Sequence, residues 1–250
     1  MSKIVIVGEG YPPILNAIEF CMITYKTIKE RYPNDEISFY PLASGGRGSV
    51  QTMIHYQKGD LIKVLNKTTI ESYYLNNDIA LIEGNDDNSE YRWQLLISDS
   101  NNKGATSIYL ALKGEDISFN NFTPINKEIT LTALGDSKLH LKLPIINGAN
   151  FFFNLSKVEQ KISEADLIIT STFQISNDYP LEDSISILIK KAKEYNKQLL
   201  ILSGTLPEYK LPGVDLYSLS PENMPLDIAL KELSNNLRYT LIDLMREDII

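Results

Sequence analysis

A glycine-rich turn in the first quarter of the chain has the residue types and spacing that most clearly suggest ligand chemistry. Gly45, Gly46 and Gly48 surround Arg47, and Ser49 follows as the N-cap candidate of a helix. Glycines leave backbone N–H groups unobstructed, and a helix N-terminus behind them adds the positive end of a dipole. The turn therefore predicts a cradle for a small anion. A strand-to-helix turn without a ligand is an equally simple interpretation, because the full phosphate-binding pattern is missing.

Further polar residues follow short apolar runs that are typical of buried parallel strands. Such strands bring their carboxyl ends to one edge of a sheet, where ligands bind. Glu9 is the acid and Arg47 the cation expected at this edge, and both are candidate catalytic residues. The alternative is that they pair with each other or face solvent. The full set of predicted ligand-binding residues is Gly8, Gly10, Ser44, Gly45, Gly46, Arg47, Gly48, Ser49, Ser171, Thr172, Ser203 and Gly204.

Other kinds of site find little support in the residue pattern. His55 and His140 are far apart and have no ligand partner at helical or loop spacing, so no metal site is predicted. The G-x-x-x-x-G-K-[ST] pattern and the nucleophile elbow are both missing. The Gly8 to Gly10 segment lacks the third glycine of the dinucleotide fingerprint, since Pro13 occupies that place.

Composition is that of an ordinary globular protein. The chain has 250 residues, 43% apolar and 22% charged, enough for one or two domains. Its 24 basic and 32 acidic residues give a net charge of −8, which argues against nucleic acid as a partner. Cys21 is the single cysteine and lies in an apolar helical pattern, so it is predicted to be a core residue. The first apolar run is too short for a signal peptide or membrane span, so we expect a cytoplasmic protein without a membrane partner.

Strands and helices alternate at both ends of the chain, which predicts a parallel sheet of α/β type. The expected strands are residues 3–7, 36–40, 166–170, 199–202 and 215–218, and the expected helices are residues 15–31, 155–162, 184–195 and 226–245.

The middle of the chain has a different pattern. Runs at residues 61–67, 70–75 and 79–83 are separated by turn residues, which favours antiparallel hairpins. We also expect a short helix at 105–113 and strands at 129–134 and 139–143. Tyr91 and Trp93 are interpreted as packing residues, and Asp86 and Asp87 as a solvated loop. The predicted fold is therefore α/β, with a discontinuous Rossmann-like domain of residues 1–56 and 151–250 and an inserted β-rich domain of residues 57–150.

Four segments in order resemble the type 1 glycerate kinase family. They are KIVIVGEGYPPILNA, PLASGGRGS, ADLIITSTFQIS and the closing PENMPLDIALKELSNNLRYTLIDLM, and the match covers about the first 65 and the last 95 residues. The resemblance implies a two-domain fold with an α/β domain built from both chain ends. It also implies ATP-dependent phosphorylation of glycerate, with ATP and Mg²⁺ as cofactors.

The charged residues of the family are replaced in this chain. The family's Asp and Lys in the opening fall on Glu9 and Pro12, and the Asp and Glu of its glycine turn fall on Ser44 and Arg47. Its G-E-G-R-I-D segment falls on residues 171–176, which carry no charge. Phosphoryl transfer depends on placed cations and Mg²⁺. We therefore predict a degenerate member, a pseudoenzyme with weak or no kinase activity and a role in ligand binding or regulation.

Two alternatives stay open on the sequence alone. One is an active small-molecule kinase that uses glycerate or a related hydroxy acid in a rearranged site. The other is an unrelated α/β enzyme that acts on a small molecule and shares only the fold.

Overall fold

A computed structural model of the chain describes residues 1–87, 89–113, 129–135, 143–172, 183–206, 213–220 and 224–250. Backbone contacts divide it into two compact units. The terminal unit comprises Met1–Leu42 and Ser156–Ile250, and the middle unit comprises Ala43–Leu155. Each unit contains its own sheet.

Strands and helices alternate along much of the described chain. The strands are β1 (Lys3–Gly8), β2 (Glu36–Pro41), β3 (Asp60–Asn66), β4 (Thr69–Asn76), β5 (Ile79–Glu83), β6 (Ser107–Ala111), β7 (Thr130–Gly135), β8 (Ile145–Asn147), β9 (Leu167–Thr172), β10 (Gln198–Ser203) and β11 (Asp215–Ser218). The helices are α1 (Ala17–Arg31), α2 (Ser49–Tyr56), α3 (Glu90–Asn102), α4 (Gly148–Ser156), α5 (Glu159–Glu164), α6 (Ser184–Glu194), α7 (Leu226–Lys231) and α8 (Leu233–Arg246).

The sheet of the terminal unit is entirely parallel, in the order β11-β10-β9-β1-β2. Ile4 on the central strand β1 lies beside Ile37 on β2 and Leu167 on β9. The prediction of a Rossmann-like parallel sheet built from both chain ends is confirmed. After β1, the next strand β2 lies on one side of it in the sheet. The later strands β9, β10 and β11 follow one another outwards on the other side. The topological switch point therefore lies between β1 and β9, where open α/β sheets bind ligands.

The two faces of this sheet are covered by different helix pairs. Ile4 and Ile6 on β1 belong to one buried cluster with Phe20 of α1 and Leu237 of α8. Because side chains alternate along a strand, the intervening residues of β1 face the opposite side, on which α5 and α6 pack. Helix α1 begins with a capping box, in which the Asn16 side chain and the side chain at the third helical position bond each other's backbone amides.

The sheet of the middle unit is mixed, in the order β3-β4-β5-β6-β7-β8. The antiparallel prediction is correct for β3, β4 and β5. The strands from β5 to β8, for which the sequence analysis predicted no pairing, pair in parallel. The physical reason is the helix α3, which the sequence analysis did not predict. A parallel pair needs a crossover connection, and α3 carries the chain from β5 to β6.

Three predicted helices differ from the structure. The helix expected at 105–113 is wrong, because Ser107–Ala111 is the strand β6, and a short apolar run does not distinguish a buried strand from a helix. The helix expected at 155–162 is interrupted between α4 and α5, where Lys157 has a φ of 54°. The helix expected at 226–245 is divided into α7 and α8. Most of the strand predicted at 139–143, with His140, lies outside the described residues.

Helices also cover both faces of the middle sheet at β5. Trp93 of α3 packs against Ile82 on one face, whereas Val50 and Met53 of α2 pack against Leu81 on the other. Trp93 is fully buried, which agrees with its interpretation as a packing residue. The same interpretation is wrong for its neighbour in α3: Tyr91 is 53% exposed.

Helix α2 contacts β4 and β5, which places it and the preceding glycine turn in the middle unit by contacts. The boundaries between the two units therefore lie after Leu42 and after Leu155. The predicted domain boundaries were residues 56 and 150. The division into one domain of residues 1–56 and 151–250 and a second domain of residues 57–150 stays a prediction. Among the described helices, none combines the length and the apolar character needed to cross a membrane.

Candidate functional site

The glycine turn has a left-handed backbone conformation at each of its three glycines. Gly45, Gly46 and Gly48 have φ values of 116°, 65° and 89°, a region that favours glycine. A Cβ on Gly45 would lie 2.6 Å from the carbonyl oxygen of Leu134, and closer still to that of Leu112. The turn therefore packs directly on the chain where β6 and β7 end, at the carboxyl edge of the parallel strands in the middle unit.

The helix behind the turn is capped by a carboxylate from another strand. Gly48 is the N-cap of α2, and it provides no side-chain cap. Ser49, expected at that position, is instead the first helical residue. The Glu83 Oε2 atom accepts a hydrogen bond from the Val50 N–H at 2.9 Å, and the Gly48 N–H also donates to this carboxylate. Two of the backbone donors that could hold an anion are therefore occupied by the protein's own anion.

Glu83 ends β5 and has an unusual electrostatic environment. Desolvation raises the pKa of its carboxyl above the ordinary value of 4.5. The hydrogen bonds from Val50 and Gly48, and the charges of Arg92 and Arg47, lower the pKa but do not outweigh the burial. The sequence analysis missed this residue. The sequence feature that could have identified it is an acidic residue at the last position of an apolar strand.

Arg47 forms an ion pair with Asp86. The alternative weighed from the sequence was a pair with Glu9; the partner in the structure is Asp86, which lies in the loop that was interpreted as solvated. The Asp86 side chain is 95% exposed, and such surface pairs contribute little to stability. Arg47 therefore has a weak and easily exchanged partner.

A buried ion pair fixes the end of β5. The Arg92 Nε atom donates to Glu71 Oε2 at 2.8 Å, and its Nη2 atom donates to the Glu83 carbonyl oxygen at 3.0 Å. Asn85 donates to the same Glu71 oxygen at 3.0 Å. Arg92 is 1% exposed. This arrangement holds the backbone from which the Glu83 side chain extends.

The second group of predicted residues lies at the switch point of the terminal unit. Gly8 ends β1, Glu9 and Gly10 follow it, and Ser171 and Thr172 end β9. The Gly10 N–H donates to Ser171 Oγ at 3.2 Å, and Gly10 has a φ of 72°. A Cβ on Gly8 would lie 2.7 Å from Ser171 Oγ, so glycine is required there by close packing.

At the neighbouring end of β10, hydroxyl and amide groups donate hydrogen bonds to backbone carbonyl oxygens. The Gly204 N–H donates to the Thr172 carbonyl oxygen at 3.1 Å, and Ser203 Oγ donates to the carbonyl oxygen of Thr205. Ser220 Oγ donates to the Gly204 carbonyl oxygen at 2.9 Å. This edge is therefore mainly neutral and hydrogen-bonded, with Glu9 as a partly buried acid.

The structure thus separates the predicted site residues into two groups, one in each unit. Gly8, Glu9, Gly10, Ser171, Thr172, Ser203 and Gly204 lie at the edge of the terminal sheet, and Ser44, Gly45, Gly46, Arg47, Gly48 and Ser49 lie at the turn of the middle unit.

The cofactors implied by the family resemblance can be tested against these donors. A nucleotide phosphate needs N–H groups or cations that are open to it. In the turn, two N–H groups already donate to Glu83, and Arg47 is already paired with Asp86. The turn as it stands does not fit ATP. In the part of the chain that the structure describes, no group of three or more His, Cys, Asp or Glu side chains is arranged to hold a metal ion.

The fold is similar to that of a solved protein. The crystal structure of a putative glycerate kinase 2 from Salmonella typhimurium LT2 superposes with a TM-score of 0.62 over 99% of each chain, at 16% sequence identity. At this identity the likeness shows the fold alone. No protein-family model matches the sequence, and no curated protein matches it.

Proposed function

We propose that the protein is a divergent relative of the glycerate kinases that binds a small molecule and has weak or no kinase activity. The four ordered sequence segments and the full-length similarity of fold support the relationship. The loss of activity rests on one observation. Where the family's G-E-G-R-I-D segment has its Glu, this chain has Thr172, a neutral residue at the end of β9.

Phosphoryl transfer gives a physical reason for this conclusion. Negative charge spreads over the transferred group in the transition state, and cations or Mg²⁺ must offset it. Ser171, Thr172 and Ser203 supply neutral hydroxyls, and Pro12 has no group that could replace a lysine. ATP and Mg²⁺ therefore enter the proposal only as ligands that the family resemblance implies.

Hydroxyls, amides and one carboxylate suit a small hydroxylated ligand at the terminal sheet edge. Such a ligand can form hydrogen bonds with Glu9 and Thr172 without any phosphoryl transfer. A protein that binds but does not phosphorylate its ligand has the properties of a sensor or regulatory subunit, which is the role we propose.

Ligand-dependent stabilisation of the purified protein tests this proposal. Glycerate, ATP and ADP are added singly, and we expect at least one to raise the melting temperature, as any ligand specific to the folded state must. Glu9→Gln should reduce the shift. Glu36→Gln is the matched control, because Glu36 begins β2 at the opposite edge of the same sheet. No shift with any of the three, or equal shifts in both variants, would contradict the proposal.

A second candidate, an active small-molecule kinase with a rearranged site, is favoured by Glu83. A partly buried carboxyl with a raised pKa is suited to accept a proton from a substrate hydroxyl. This candidate predicts turnover of Mg-ATP with glycerate or a related hydroxy acid, abolished by Glu83→Gln. A panel of hydroxy acids without turnover in the unmodified protein would eliminate it.

A further inference from the structure

The turn of the middle unit has the backbone N–H groups and the arginine of an anion site, but carboxylates of the same chain already bind them. Val50 and Gly48 donate their N–H groups to Glu83, and Asp86 binds Arg47. We infer that this is an autoinhibitory contact: the Glu83 carboxylate occupies the turn as an internal ligand, and an external carboxylate or phosphate binds there only when it is displaced. The inference deepens the proposed function, on which it rests, by assigning a second ligand-binding place and its regulation.

The geometry of the contact supports this inference. A carboxylate on two backbone N–H donors at a helix N-terminus, here those of Gly48 and Val50, reproduces the way in which such termini hold a ligand anion. A second anion at the same donors would meet the first one as a like charge at close range. The unaltered protein should therefore bind external anions weakly at this place.

Ser49 is the independent observation that points to an external ligand. It is the first residue of α2 and is fully buried. Its Oγ atom has no hydrogen-bond partner among the described groups. A buried hydroxyl without a partner is costly, and in native structures it usually marks a place for a water, an ion or a ligand. The Glu83 carboxylate does not accept a bond from this hydroxyl, so an external anion that reached it would make a hydrogen bond that the internal ligand does not make.

The contact is also one that can open. The Glu83 carboxyl is only partly buried, and Asp86 is almost fully exposed, so both acids can turn towards solvent. The Arg92–Glu71 pair is different, because both of its side chains are buried. It holds the end of β5 in place whether or not the Glu83 side chain lies on the turn.

Calorimetric titration with inorganic phosphate, and separately with glycerate, tests the inference at constant ionic strength. Glu83→Ala removes the internal ligand, and we expect it to bind phosphate at least about tenfold more tightly than the unmodified protein. Glu83→Gln keeps an acceptor for Val50 but removes the charge, and should give a smaller gain. Asp87→Asn is the matched control. It changes the net charge equally in the loop beside the turn, and should bind as the unmodified protein does.

The outcomes separate this inference from the proposed function. Tighter phosphate binding by both Glu83 variants supports the inference, even if glycerate and nucleotides bind nowhere, a result that would contradict only the proposed function. Unchanged binding by a folded Glu83→Gln variant overturns the inference, even if the unmodified protein binds glycerate. Equal gains in Asp87→Asn and the Glu83 variants also overturn it, because general charge would then explain the effect. If Glu83→Ala does not fold, Glu83→Gln alone decides.

Discussion

At the scale of single residues, the glycine turn was predictable and its occupant was not. Three glycines within four positions indicate positive φ, and all three have it. Glu83 lies more than thirty positions further along the chain, and only the packing of β5 beside α2 brings its carboxylate to the Val50 N–H. Spacing patterns describe neighbours along the chain, so they could identify the donors of this site but not their acceptor.

Glu83 should make stability depend on pH in a defined direction. Its pKa in the folded protein is raised above the ordinary value of 4.5, so folding favours the protonated form. The resulting stabilisation is complete below that ordinary value and is lost as the pH rises through the raised pKa. Denaturant unfolding at a series of pH values should show this loss in the unmodified protein relative to Glu83→Gln. Parallel curves for the two proteins would show that Glu83 is not perturbed.

The glycines of the turn should differ in their tolerance of alanine. Gly48→Ala meets no atom within 4 Å, so only its φ of 89° is unfavourable, and we expect a cost of about 1 kcal/mol. Gly45→Ala adds a clash with two backbone carbonyl groups and should cost clearly more. The midpoint of chemical denaturation measures both, and Gly48→Ala serves as the matched control. Equal costs would contradict the close packing on β6 and β7.

At the scale of elements, the strands of the terminal sheet and the helix α1 were predicted well, whereas β6 and α3 were not. The strand β1 and the helix α1 carry clear signals, a continuous apolar run and apolar residues at helical spacing. The five residues of β6 are compatible with either state, and tertiary burial decides between them. The helix α3 was missed because its buried face includes Arg92 and Ser100, so its apolar periodicity is weak.

The buried pair between α3 and β4 should be essential to the middle unit. Arg92→Met leaves Glu71 as an unpaired buried carboxylate, and we expect a loss of about 3–5 kcal/mol of unfolding free energy. Glu71→Gln combined with Arg92→Met removes both charges and should recover part of that loss. Urea denaturation of the single and double variants measures this. A single variant as stable as the unmodified protein would show that the pair is not a determinant of this packing.

At the scale of the whole molecule, the α/β fold and the assembly of one sheet from both chain ends were predictable, because βα units have a strong sequence pattern. The middle unit was predicted less well. Its antiparallel half follows from turn residues, whereas its parallel half depends on the crossover helix α3. The similarity of fold to the putative glycerate kinase 2 extends over 99% of the chain. The charged groups that would accompany that chemistry are replaced by Pro12, Ser44 and Thr172.

Turnover of Mg-ATP in the presence of glycerate tests the central claim most directly. The purified protein is incubated with both substrates, and the release of ADP is followed against a sample without protein and one without glycerate. We predict a rate no higher than these two backgrounds, because neutral groups stand where phosphoryl transfer needs charges. A glycerate-dependent rate on the order of 1 per second or more, typical of working enzymes, would contradict the claim.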